Sequence, residues 1–146
     1  MKKIDTREYI SMLRELTESG KEVSMIISGN SMSPFLIHER DSICFKKPDR
    51  ELRRGDMVLY QRPTGQYVMH RIYKVKYEGY YIVGDAQQEI EGPVAREQIF
   101  AIITKVQRKG KWIEPEDFWW KFFARIWVNI IPFRPALQKL YGMLWH

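Results

Sequence analysis

The chain has 146 residues, 45% of them apolar and 29% charged, with a formal net charge of +6. These values fit one folded domain with its own core, leave little room for a second, and exclude a disordered chain. A single cysteine, Cys44, excludes an intramolecular disulfide and a cysteine-rich zinc site, and no residue pattern asks for a metal or other cofactor.

At the N-terminus, Tyr9, Met12, Leu13 and Leu16 follow the i, i+3, i+4, i+7 spacing of an amphipathic helix, predicted over residues 6–19. Asp5 with Glu8 reads as its capping box and Gly20 as its stop. The first 20 residues carry four carboxylates and no apolar core of secretory length, and no run of about 18 apolar residues occurs later. The expectation is a cytoplasmic protein without a spanning helix.

After Gly20 the texture changes to short β-type runs. They are "EVSMIIS" (22–28), "DSICFKK" (41–47), "DMVLYQR" (56–62), "QYVMHRIYKVKY" (66–77), "YYIVGD" (80–85) and "QIFAIITKVQRKGKWI" (98–113). Turn material separates them, including "PTG" and "QEIEGP", with tight hairpins expected at Glu78-Gly79 and Lys109-Gly110. So many short strands predict a mainly β protein, a compact, curled antiparallel sheet over residues 21–114. Cys44, alternating within its strand, is expected in the core.

Residues 115–146 form a separate tail, read as a helix over 116–131, a break at Pro132 and Pro135, and a short helix to about 145. From residue 118 onward it holds Lys121, Arg125, Arg134 and Lys139, no carboxylate side chain, and four of the five tryptophans. About 16 helical residues span roughly 24 Å at 1.5 Å per residue, short of a bilayer core of about 30 Å. A narrow Lys121/Arg125 stripe beside Trp119, Trp120, Phe123 and Trp127 therefore predicts an amphipathic in-plane anchor on an anionic membrane surface. The competing readings pack the tail on its own β domain or on a partner protein. Nucleic acid is not expected, because the basic residues lie among apolar aromatics and not along a polar groove with stacking platforms.

The sharpest chemical signal is "SGNSMSPFL" (28–36), where two serines and a proline follow a strand. On residues alone this is a serine-rich turn; a serine becomes a nucleophile only with a base to take its proton and donors for the oxyanion. The stretch Gly29-Asn30-Ser31-Met32-Ser33-Pro34 resembles the G-x-S-M-x-P nucleophile motif of the superfamily joining signal peptidases and LexA-like repressors. "LRRGDMVLY" (52–60) is similar to that family's R-x-G-D turn, "YVMHRIYKV" (67–75) to its base-bearing strand, and "YYIVGDA" (80–86) to its closing G-D segment.

Bacterial signal peptidases and LexA-like proteins place a lysine before the arginine of the third motif; here His70 precedes Arg71. That substitution resembles the endoplasmic-reticulum and archaeal signal peptidases. The resemblance implies a catalytic domain of that fold with Ser31 as nucleophile, His70 as general base and Asp85 as the carboxylate that orients His70. It further implies oxyanion or substrate-binding roles for Gly29, Asn30, Ser31, Met32 and Pro34. Where many bacterial enzymes have a serine two positions before the nucleophile this chain has Gly29, so the Ser31 N–H would carry more of the oxyanion. A Ser–Lys alternative through Lys74 needs another register. A repressor is a poor fit: there is no room for a helix-turn-helix domain and no Ala-Gly or Cys-Gly bond to cut.

Two functions follow as expectations. One is a serine endopeptidase, peripheral on the inner membrane face, that removes a leader or signal-type segment from a peptide or protein precursor. The other is a catalytically silent binding module of the same fold, docking on lipid or a partner protein through the tail.

Overall fold

The structure is a computed structural model that describes residues 6–145. Helix α1 (Thr6–Glu18) precedes eight strands: β1 (Val23–Ile26), β2 (Ser42–Lys46), β3 (Met57–Gln61), β4 (Tyr67–Lys76), β5 (Gly79–Val83), β6 (Glu91–Val94), β7 (Ile99–Arg108) and β8 (Lys111–Ile113). The tail supplies α2 (Phe118–Arg125), two 3-10 turns and α3 (Arg134–Trp145). The predicted helix at the N-terminus is present; Asp5 of its expected capping box lies outside the described residues.

All eight strands join one antiparallel sheet in the order β1-β2-β7-β3-β4-β5-β6, with β8 folded back on β7. The fold is the mainly β architecture with terminal helices that the sequence predicts. The long run 98–113 divides into β7 and β8 around Lys109-Gly110, where Lys109 takes φ +54°. Strand β6 lies in "EGPV", which reads as a turn in the sequence. Its Gly92 and Pro93 contribute little to a ladder, and β6 is accommodated because it is the sheet edge, paired only with β5.

Both faces of the sheet carry apolar side chains. On one, Ile10 and Leu13 of α1, Phe35, Ile43, Phe45, Met57, Leu59 and Val106 pack with Trp120, Phe123 and Trp127 of the tail. On the other, Val58, Tyr60, Ile72, Ile82, Val94 and Ile102 form a smaller cluster. Cys44 is buried.

One face of the tail packs on its own sheet, and its first helix is shorter than predicted. Trp120, Phe123 and Trp127 are buried in the first core, with the Phe123 ring 4.8 Å from Phe35 and Trp120 edge-on to Phe35 at 6.3 Å. The continuous helix expected over 116–131 stops at Arg125. Beyond it the chain turns so that the buried Arg134 can donate to the carbonyls of Trp127, Gly84 and Gln87 at 2.8–3.2 Å. The Trp127 Nε1–H donates in turn to the Asp85 carbonyl at 2.8 Å. Hydrophobic burial and these bonds fix the inner face to the sheet; only Trp119, Lys121 and Arg125 of the six predicted membrane-facing residues are exposed. Among the described residues, no helix is long and apolar enough to cross a membrane.

Candidate active site

Ser31 lies in the turn-rich segment between β1 and β2, at the mouth of the sheet. Phe35 and Leu36 anchor the segment with no exposed surface, and Arg108 of β7 donates to the Phe35 carbonyl at 2.9 Å. The Ser31 carbonyl accepts from the Ala86 N–H at 2.8 Å. That bond ties the serine to the "VGDA" segment, which Arg134 and Trp127 hold from behind.

His70 sits within β4, opposite Val58 of β3. A strand alternates its side chains between faces, so His70 shares the face of Val58 and Tyr60 while Arg71 points to the other. Gly84 brings the two segments together. A Cβ there would lie 2.6 Å from the Ser31 carbonyl oxygen and 3.0 Å from His70 Cδ2, so only a glycine permits the approach. The ring edge that meets Gly84 is thus the one carrying Cδ2, the carbon bonded to Nε2. Its opposite edge faces Tyr60, whose Oη is 3.5 Å from Nδ1. Ser31 and His70 line one cavity of about 240 Å³ together with Ile27, Met32, Tyr67 and Met69. Among the described residues no hydrogen bond joins the Ser31 hydroxyl to the His70 ring.

Asp85 is not where the resemblance implies. Its two carboxylate oxygens receive Nε and Nη2 of Arg71 at 2.8 and 2.9 Å, and both side chains are fully buried. Strand alternation explains the outcome: Asp85 is bound to the side chain that leaves β4 on the face opposite His70. The ring is flanked instead by Tyr60 and, behind it, by Glu91 of β6. Glu91 is gripped by Arg62 through Nε to both oxygens at 3.1 Å and Nη2 to Oε1 at 2.6 Å.

The electrostatics follow from this arrangement. Burial, reinforced by the Arg62 charge and opposed by Glu91, lowers the His70 pKa to about 4. The imidazole is therefore neutral at pH 7 and able to accept a proton. Burial raises the Tyr60 phenol, with the Glu91 charge adding to it. Burial pushes Glu91 up, but the hydrogen bonds and charge of Arg62 outweigh it and the net shift is downward.

The other predicted residues divide. Gly29 and Met32 line the cavity with Ser31, whereas Asn30 and Pro34 do not. The Asn30 carbonyl accepts from Ser33 N–H at 3.1 Å, and the Pro34 carbonyl from Arg108 at 3.4 Å; these are scaffold contacts. The Gly29 N–H is taken by His38 Nδ1 at 2.7 Å, while the Ser31 N–H has no partner among the described residues. Lys74 is exposed and borders a different depression with Leu52 and Tyr80. Asp56 caps its turn, accepting the Arg50 fork and the Arg53 N–H, all at 2.9 Å. Tyr60, Arg62 and Glu91 are not legible as site residues in the sequence, because their nearness to His70 depends on the β3–β4 register and on an edge strand masked by Gly and Pro.

A mainly β fold with a curled antiparallel sheet and a serine in the loop after its first strand is consistent with the serine peptidase superfamily that includes LexA-like proteins and signal peptidases. The family model described as Peptidase S24-like matches residues 2–107, and the chain belongs to that family. The match ends within β7, so the tail lies beyond it. No curated protein and no solved structure matches the chain significantly.

Proposed function

We propose that this chain is a Ser–His endopeptidase that cuts a leader or signal-type segment from a peptide or protein precursor at a membrane surface. The observation that carries the reading is the cavity that Ser31 and His70 line together. Ser31 Oγ attacks the substrate carbonyl carbon as His70 Nε2 takes its proton, and the oxyanion forms against the Ser31 N–H. His70 returns the proton to the leaving amine, and water then hydrolyses the acyl-enzyme by the same relay. Tyr60 holds the Nδ1 side of the ring, the place expected of Asp85. Substrate draws the Ser31 hydroxyl and the His70 ring into contact, since catalytic hydrogen bonds are often long in a free enzyme.

The unmade Ser31–His70 hydrogen bond is also what favours the second reading, a silent binding module. Labelling of purified protein with a fluorophosphonate probe, with and without liposomes, separates the two. The peptidase reading expects modification of Ser31 that disappears in Ser31→Ala and falls steeply in His70→Ala. Labelling that persists in Ser31→Ala overturns the mechanism; a chain that is never labelled and cleaves no peptide is the binding module.

A further inference from the structure

We propose that the basic cavity between the Arg50–Asp56 turn and α2 binds the phosphate of an anionic phospholipid headgroup. This rests on the membrane part of the proposed function and not on its catalysis. The cavity, about 380 Å³, is lined by Arg50, Arg53, Arg54, Lys121 and Arg125 against a single carboxylate, Asp56. Arg50 already neutralises Asp56 through two 2.9 Å contacts. Arg54 lies over the Tyr73 ring. Arg53, Lys121 and Arg125 have no carboxylate partner among the described residues. Four positive charges thus remain uncompensated around one concavity, which suits a phosphate anion.

The two walls are held at a fixed spacing. Gly55 (φ +94°) approaches α2 so closely that a Cβ would come within 2.7 Å of the Ala124 carbonyl oxygen. The Gly55 carbonyl is also bound by Arg71 at 2.9 Å. The backbone of the two walls is therefore held in register, and the exposed cationic side chains stand on it.

What makes a lipid the occupant is the neighbouring arc of the same helix. Trp120 and Phe123 point inward, Lys121 and Arg125 line the cavity, and Phe118 and Trp119 project outward, joined by Ile126 and Phe133 just beyond. Phe118, Trp119 and Phe122 form an aromatic cluster with centroids 5.1–6.3 Å apart. Cations beside outward aromatic rings match the layering of a bilayer interface, with phosphate above and the glycerol–acyl boundary below. A free phosphate or a polar acidic peptide would leave the aromatic arc without a function.

The test is co-sedimentation of the full chain with vesicles of equal parts phosphatidylglycerol and phosphatidylcholine, against phosphatidylcholine alone. Binding is expected to the anionic vesicles and to fall when NaCl is raised from about 0.1 to about 1 M. The double variant Lys121→Gln/Arg125→Gln should bind roughly 25-fold more weakly, at about a factor of five for each charge near the surface. Lys76→Gln, on an exposed part of β4 outside the cavity, should bind as the unaltered chain does. Equal binding to both vesicles, undiminished binding by the cavity variant, or capture of inorganic phosphate with no affinity for vesicles each overturns the proposal. Ser31→Ala, run alongside, should keep vesicle binding, so loss of the peptidase reading and loss of this one are read separately.

Discussion

Arg71–Asp85 and Arg62–Glu91 are both forked guanidinium–carboxylate pairs beside His70, and they occupy opposite faces of one sheet. The first has no accessible side-chain surface; the second leaves 31% of Arg62 and 36% of Glu91 exposed. The buried fork joins β4 to the segment after β5, with Arg71 adding a bond to the Gly55 carbonyl, so it fastens three parts of the scaffold. Its exposed counterpart stands at the rim of the cleft, on the face of the imidazole. Identical chemistry gives a structural lock in one environment and an adjustable field in the other.

Breaking the buried fork should have the largest effect. Asp85→Ala leaves the Arg71 guanidinium without its counter-charge in a place water does not reach, at a cost of about 3–5 kcal/mol. Urea unfolding measures it. Pairing Asp85→Ala with Arg71→Met should recover a good part of the loss, because the second change removes the stranded charge. If Asp85 instead oriented His70, the single variant would stay near its original stability and show only slow turnover.

The second prediction concerns the ring between the two forks. His70 is only 4% exposed and its pKa lies near 4, against 6.5 for an unhindered imidazole. The unfolded chain therefore binds the extra proton between pH 6.5 and 4 while the folded one does not. His70 thus contributes stability that is fully present above pH 6.5 and is lost as pH falls toward 4, about 3 kcal/mol for a shift of this size. His70→Gln should flatten that acid limb. The rate profile follows the same sign: kcat/KM should rise with an apparent pKa near 4. Sequence reasoning from an ordinary histidine places that rise near pH 6–7, because burial is not visible in residue order.

What the sequence makes legible here is local. Ser31, His70 and the G-D segment are recognisable as residue strings, and the strand pattern gives the sheet from "EVSMIIS" to "KWI" with β6 missing. Partnerships across strands are not legible in the same way. The motif pairs Asp85 with His70, yet strand alternation separates His70 from Arg71 and, with it, from Asp85. Tyr60 reaches the imidazole only because Val58 and not Met57 pairs with His70. The tail shows the same limit: its tryptophans are plain in composition, but which of them turn inward depends on Phe35 and on the carbonyls that capture Arg134.

Tyr60→Phe probes the partner that replaces the expected carboxylate. It removes one hydroxyl, so the cost in stability should be near 1 kcal/mol, typical of a single hydrogen bond. On the proposed mechanism, kcat should fall on the order of tenfold with KM little changed, since an unheld ring spends less time with Nε2 toward Ser31. A loss of stability with kcat intact would reduce Tyr60 to a packing residue.

Glu91→Gln should give the smallest change and the most specific one. An ion pair that keeps about a third of its surface is screened, and its loss should cost less than about 1 kcal/mol. Yet Glu91 is the group that raises the His70 pKa, while Arg62 lowers it. Removing the carboxylate leaves Arg62 unopposed, so the acid limb of kcat/KM should move to lower pH; Arg62→Gln should move it the other way. Opposite displacements from the two halves of one pair, at nearly unchanged stability, would be difficult to obtain from altered packing. A shift of the same sign in both variants would mean that the exposed fork acts on His70 through the position of β6 and not through its charge.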